Sequence, residues 1–215
     1  MTQNLHDLIQ IPETSRDYHW EEKFFFEFAK SNVSLLGDAP EMGPDGWPYL
    51  ILQSSQDADE PAQKVIQWAA ERGIGLVLNP NKEYPDYVFT YGMLWNFRQT
   101  GRFLAPQKPK ISHLSKFEVN AEKGFYSGHP TEDYFPGYAR KVLRDFFRDQ
   151  QIKDVKILMV SQDNKNFDLV FSLESLGVPP VLEHQGILEA ISWFMPPHYS
   201  LALMSEKGLP PFVSL

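Results

Sequence analysis

Apolar side chains recur at helical spacing in DYHWEEKFFFEFAKS. Trp20, Phe24, Phe25 and Phe28 mark one face, so the pattern predicts an amphipathic helix over residues 17–30. Val33–Leu36 and Tyr49–Leu52 are short apolar runs that read as strands. Between them, GDAPEMGPDG (37–46) is dense in turn formers and reads as a loop. EPAQKVIQWAAER (60–72) predicts a second helix. Pro61 suits its first turn, Ala62, Val65, Ile66 and Ala69 form the stripe to be buried, and Gly73 ends it. In GIGLVLNP the run Leu76–Leu78 is uniformly apolar, which predicts a central, buried strand closed by Pro80. The aromatic segment YPDYVFTYGMLWNFRQTGRF is expected to be helical over residues 90–99.

The second half repeats this alternation. YARKVLRDFFRD carries Ala139, Val142, Leu143, Phe146 and Phe147 on one face, with Pro136 near the start of the helix. VKILMV (155–160) and FDLVFSL (167–173) flank the polar SQDNKN, a hairpin pattern with Phe167, Leu169, Phe171 and Leu173 on one face. Ile187, Leu188, Ile191 and Phe194 predict a helix over 184–195, stopped by Pro196 and Pro197, with Glu183 and His184 at its start. Ser200–Met204 reads as the last clear strand. Each half thus runs helix, strand, strand, helix, strand. The expected fold is α+β, with two lobes of mixed sheet backed by helices and a pseudo-repeat of that order. The expected boundaries are an N-terminal domain at 1–104, a linker at 105–116 (basic, proline-containing and without periodicity) and a C-terminal domain at 117–215.

Composition narrows the function classes. The chain has 215 residues, 42% of them hydrophobic and 14% aromatic, enough to bury a sizeable core. Its formal net charge of −8, with no run of five basic residues, argues against nucleic acid, because affinity for phosphates comes mainly from Lys and Arg. Cysteine is absent, which removes disulfides, thiolate nucleophiles and thiolate zinc sites. No stretch approaches the roughly 20 apolar residues that span a bilayer, and MTQNLHDLIQIPETSRD lacks the pattern of a signal peptide. A soluble cytoplasmic protein is the expectation.

GLVLNP, the run GHPTEDYFPGYARKVLRDFFRDQQIKDVKILMV, WFMPPHYSLALM and the closing LPPF together resemble the enhanced-serine-sensitivity (SseB-like) family of bacteria. The resemblance covers roughly residues 33–80 and 119–213 and rests on turns and apolar patterns. It implies a bacterial cytoplasmic α+β protein and supplies no catalytic residues.

Chemistry leaves few traces along the chain. No G-x-S-x-G is present, and Ser127 beside Gly128 and His129 does not make a nucleophile–base pair, because sequence neighbours point apart. The glycines of GDAPEMGPDG are interrupted by prolines and precede no Gly-Lys-Ser/Thr. His19 with Glu22 and His129 with Glu132 are chance-level pairings, so neither a metal nor a cofactor is expected. The candidate binding residues are Asn79 at the end of its strand and Tyr84, Tyr87, Tyr91, Trp95 and Arg98, because exposed aromatics make recognition surfaces. The leading expectation is a non-enzymatic interaction or adaptor protein with a protein partner, and a homodimer is allowed. The alternative is a hydrolase-like enzyme whose carboxylates line an inter-lobe cleft, around His129, Glu132 and Asp133. The latter two otherwise read as cap and dipole complement of the following helix.

Overall fold

A computed structural model describes residues 4–55, 57–81, 84–104, 111–120 and 123–215. The protein is α+β and divides into two compact units, Met1–Phe103 and Leu104–Leu215.

The first unit holds α1 (Leu5–Ile9), α2 (Tyr18–Lys30), β1 (Asn32–Leu35), β2 (Glu41–Met42), β3 (Pro48–Gln53), β4 (Glu60–Pro61), α3 (Ala62–Ala70), β5 (Gly75–Leu78), β6 (Tyr87–Phe89) and α4 (Tyr91–Thr100). Its sheet runs β4-β1-β3-β5-β6, with β2 pairing β3. β3 and β5 are parallel and joined through α3, while β1–β3 and β5–β6 are antiparallel. The GLVL strand is therefore flanked on both sides, and Leu76 and Leu78 are fully buried. Gly75 pairs with Tyr49. A Cβ there would lie 2.6 Å from the Tyr49 ring and 2.7 Å from the Phe89 carbonyl, so this strand requires glycine. Leu50, Leu76 and Phe89 form one cross-strand row, and Phe28 of α2 stacks on Phe89 at 4.6 Å. The amphipathic stripe of α2 is thus buried against β6, with Phe24 and Phe103 in the same cluster.

The N-terminal stretch, for which no element was predicted, contains α1. Asn4 and Asp7 form a capping box, and Leu5, Leu8 and Ile9 are buried. Trp20 Nε1 donates to the Leu8 carbonyl at 2.9 Å. Five residues hold a helix here because tertiary burial replaces the length an isolated helix needs.

The second unit holds β7 (Ile111–Asn120), β8 (Lys123–Pro130), α5 (Gly137–Asp149), β9 (Lys156–Ser161), β10 (Asp168–Ser172), α6 (His184–Phe194), β11 (Ser200–Met204) and β12 (Val213–Ser214). The sheet order is β11-β10-β9-β8-β7, with β12 beside β9. Residues 111–116, expected in the linker, belong to β7, and residues 105–110 lie outside the described residues. The prolines that suggested a linker stand at 106 and 109, ahead of the strand, and β8 supplies the pairing partner from Pro130 to Lys123.

The helix–strand–strand–helix–strand order recurs with the same pairings. β1–β3 and β9–β10 are antiparallel, while β3–β5 and β10–β11 are parallel across a helix. In the second unit Leu158, Val160 and Val170 form a buried cluster under Leu209 and Phe212. The apolar residues of LPPF thus pack onto the outer face of their own sheet. Among the described residues, no helix is long and apolar enough to cross a membrane.

Candidate functional site

The aromatic segment is core. Tyr91 and Trp95 are 0% exposed, and the Tyr91 hydroxyl donates to the Ala70 carbonyl at 2.9 Å. Tyr87 is half-buried against Phe24, with ring centroids 5.1 Å apart, and its hydroxyl donates to Glu21 Oε1 at 2.6 Å. Burial, then the Glu21 carboxylate, raises the Tyr87 phenol above its ordinary value. Arg98 reaches Glu71 at 2.8 Å. Of the expected aromatic surface, Tyr84 alone is exposed. Tyr91 and Trp95 sit one turn apart on α4 and so point the same way, and the whole stretch from Tyr91 to Asn96 is buried. Sequence spacing could show that shared face but not which side it would take.

Asn79 sits just past β5 in a left-handed conformation, φ 54°. Its Oδ1 accepts from the Ser54 N–H at 2.9 Å, and its Nδ2 donates to Ser54 Oγ at 2.9 Å and Asp86 Oδ2 at 2.8 Å. Asp86 in turn accepts from Arg16 at 2.9 Å, and Arg16 also donates to the Ile9, Ile11 and Asp86 carbonyls. This network clasps α1, the ends of β3 and β5 and the start of β6. The amide that could have met a ligand is taken up in holding the strand ends together.

The second group is a helix start. Glu132 is exposed, its Oε2 accepts from the Gly137 N–H at 2.7 Å, and its other oxygen lies 3.9 Å from Arg140 Nε. Asp133 is exposed, and His129 Nε2 lies 3.3 Å from the Pro211 carbonyl. Arg140 donates to the Phe135 and Pro130 carbonyls, and burial lowers its ordinary value. These contacts tie β8 to α5. The exposed carboxylates lack the apolar enclosure that tunes acid–base pairs. Glu183, at the start of α6, makes no side-chain cap bond. His19 and Glu22 lie 4.0 Å apart and exposed. Among the described residues, no group of three or more potential ligands is placed to hold a metal.

Among the described residues, the largest exposure of apolar side chains falls on a loop absent from the expected site. Between β10 and α6 runs LGVPPVLE (176–183), where Val178 is 68%, Val181 79% and Leu182 96% exposed. The loop is held closely from within. The Val178 N–H donates to the Leu173 carbonyl at 2.8 Å, and the Leu176 N–H to Ser172 at 3.2 Å. A ring nitrogen of His184 lies 3.1 Å from the Pro179 carbonyl, and the Glu183 N–H donates to Pro180 at 2.9 Å. At its base, hydrogen bonds from Ser205 Oγ and the Glu206 N–H hold the Glu174 carboxyl below its ordinary value. Val178 itself has φ 54°, a conformation costing a β-branched residue on the order of 1–2 kcal/mol. Two prolines and these backbone bonds fix an apolar tip in water against that cost. One sequence signal was available: VPPVL is an apolar run with no amphipathic period and two prolines, which neither a helix nor a central strand can bury.

Comparison with protein-family models, with curated proteins and with solved structures finds no match for this chain.

Proposed function

We propose that this is a non-enzymatic interaction protein whose binding element is the Val178–Leu182 tip of the second unit. The observation that carries the reading is the near-complete exposure of Leu182 and Val181 on a loop pinned by its own backbone bonds. Small soluble units seldom hold a cluster of aliphatic side chains in water unless a partner covers it. A pinned loop also loses little conformational entropy on binding, so more of the contact energy remains as affinity. Cytoplasmic placement is in keeping with the acidic surface and the lack of cysteine. The turn patterns shared with the enhanced-serine-sensitivity family support assigning the protein to that type.

The test is a photo-crosslinking side chain at position 182, compared in living cells with the same group at exposed Lys165, in the β9–β10 turn at the other end of the sheet. A discrete crosslinked species from position 182, absent from position 165, is the expected outcome. Identical diffuse labelling from both positions, or none from 182, would remove the reading.

A further inference from the structure

The tip has a chemically matching surface on its own unit. Residues 174–183, ESLGVPPVLE, carry two acids and no Lys or Arg. Beside the end of α5 lies a surface pocket of about 390 Å³. Buried Phe147, Val155 and Leu215 and half-buried Ile152 line it. Three cations, Arg144, Arg148 and Lys153, stand around it against one acid, Asp154. Arg148 also pairs with Asp145, and Arg144 donates to the Leu215 carbonyl. An apolar knob with acidic flanks and an apolar hollow with a mainly basic rim complement each other in both shape class and charge.

Their placement decides what kind of assembly they can make. β9 and β10 are antiparallel, and Ile157 near the start of β9 faces Phe171 near the end of β10. The Lys156 N–H donates to Ser175 Oγ at 3.0 Å, which ties the start of β9 to the base of the tip. Val155, in the pocket wall, directly precedes that residue. Knob and hollow therefore share one end of the sheet. Two surfaces on one end are compatible with a twofold axis, in which each copy's knob meets the other's hollow and the contact closes at two.

We propose that a second copy of this chain is the occupant. The protein forms a twofold homodimer in which Val181 and Leu182 of each copy enter the Phe147–Ile152 hollow of the other, with Glu183 facing the basic rim. This rests on the reading of the tip as the binding element.

The test is sedimentation of the full chain over a range of concentrations, at low and at high salt. A concentration-dependent dimer that weakens with salt is expected. Leu182→Asp should weaken it at least about tenfold while circular dichroism stays unchanged, because the side chain is in water in the single chain. Glu183→Lys and Lys153→Glu should each weaken self-association. An equimolar mixture of the two variants should recover it as a heterodimer. At one contact the lysine introduced in one copy then faces the glutamate introduced in the other, and at the second contact native Glu183 faces native Lys153. A monomer at all concentrations, a dimer indifferent to Leu182→Asp, or a mixture that recovers nothing would overturn the proposal. If the chain is monomeric and the crosslinker at position 182 still captures one different protein, the self-association fails while the tip keeps its role. If neither a dimer nor a crosslink appears, both fail.

Discussion

Trp95 and Leu182 are both large apolar residues, and their surroundings reverse their roles. Trp95 has no exposure, so Trp95→Ala should cost about 3–5 kcal/mol by lost transfer energy and a cavity. Urea denaturation would measure this, and a loss under about 1 kcal/mol would contradict the packing described. Leu182→Asp should leave the unfolding free energy of the monomer unchanged within about 0.5 kcal/mol. Val178 should behave in a third way. Val178→Gly relieves a left-handed valine and should leave stability level or slightly raised while weakening association. Stability alone would favour glycine or asparagine at that φ, so the strained valine is better explained by what its side chain contacts. At the Arg16–Asp86 pair, with side chains 13% and 1% exposed, Asp86→Ala removes one charge and leaves the other enclosed. The expected loss is about 3 kcal/mol, against well under 1 for the exposed Lys64–Glu60 pair, and parallel denaturation curves decide it.

Elements follow local rules where burial is one-sided and need partners elsewhere. α2, α5 and α6 were legible because an apolar stripe at 3.6-residue spacing commits a helix to one orientation. β5 was legible because an apolar run between a left-handed Gly73, φ 72°, and an Asn-Pro stop fits a central strand. Gly75→Ala tests that element directly. Its methyl would meet the Tyr49 ring and the Phe89 carbonyl, so the variant should lose roughly 1–3 kcal/mol by overpacking. A Tyr49→Ala second change should recover part of that loss, since it removes one of the two clashes, and denaturation of the double variant measures the coupling. β2, β4 and β12 are two-residue pairings without any period, and β7 is made by β8 facing it. No local pattern could have drawn them, because a ladder's hydrogen bonds belong to two segments at once.

At the scale of the whole molecule, the two units hold charges whose ordinary values the fold shifts in a common sense. Asp17 accepts from the Trp20 N–H, and Asp163 accepts from the Asn166 and Lys165 N–H groups; both carboxyls are held below 3.8. Glu174 is held below 4.5. A carboxylate lowered in the folded state contributes stability above its unfolded value and loses it as pH falls through the folded one. Burial holds His198 below 6.5, so its contribution is present above that pH and is lost as pH falls further. Thermal midpoints should therefore decline in two stages, first below about pH 6.5 and then below about pH 4.5, and His198→Asn should flatten the first. A midpoint constant from pH 7 to 5 would contradict the first stage. The amino-acid order by itself determined the α+β alternation, the repeated helix–strand–strand–helix–strand run, and the helices and central strands, because periodicity is a property of one segment. The tertiary structure alone decided that Tyr91 and Trp95 face inward and that Asn79 clasps strand ends. Each of those outcomes depends on which distant surface arrives to cover a side chain, and a sequence pattern does not contain that information.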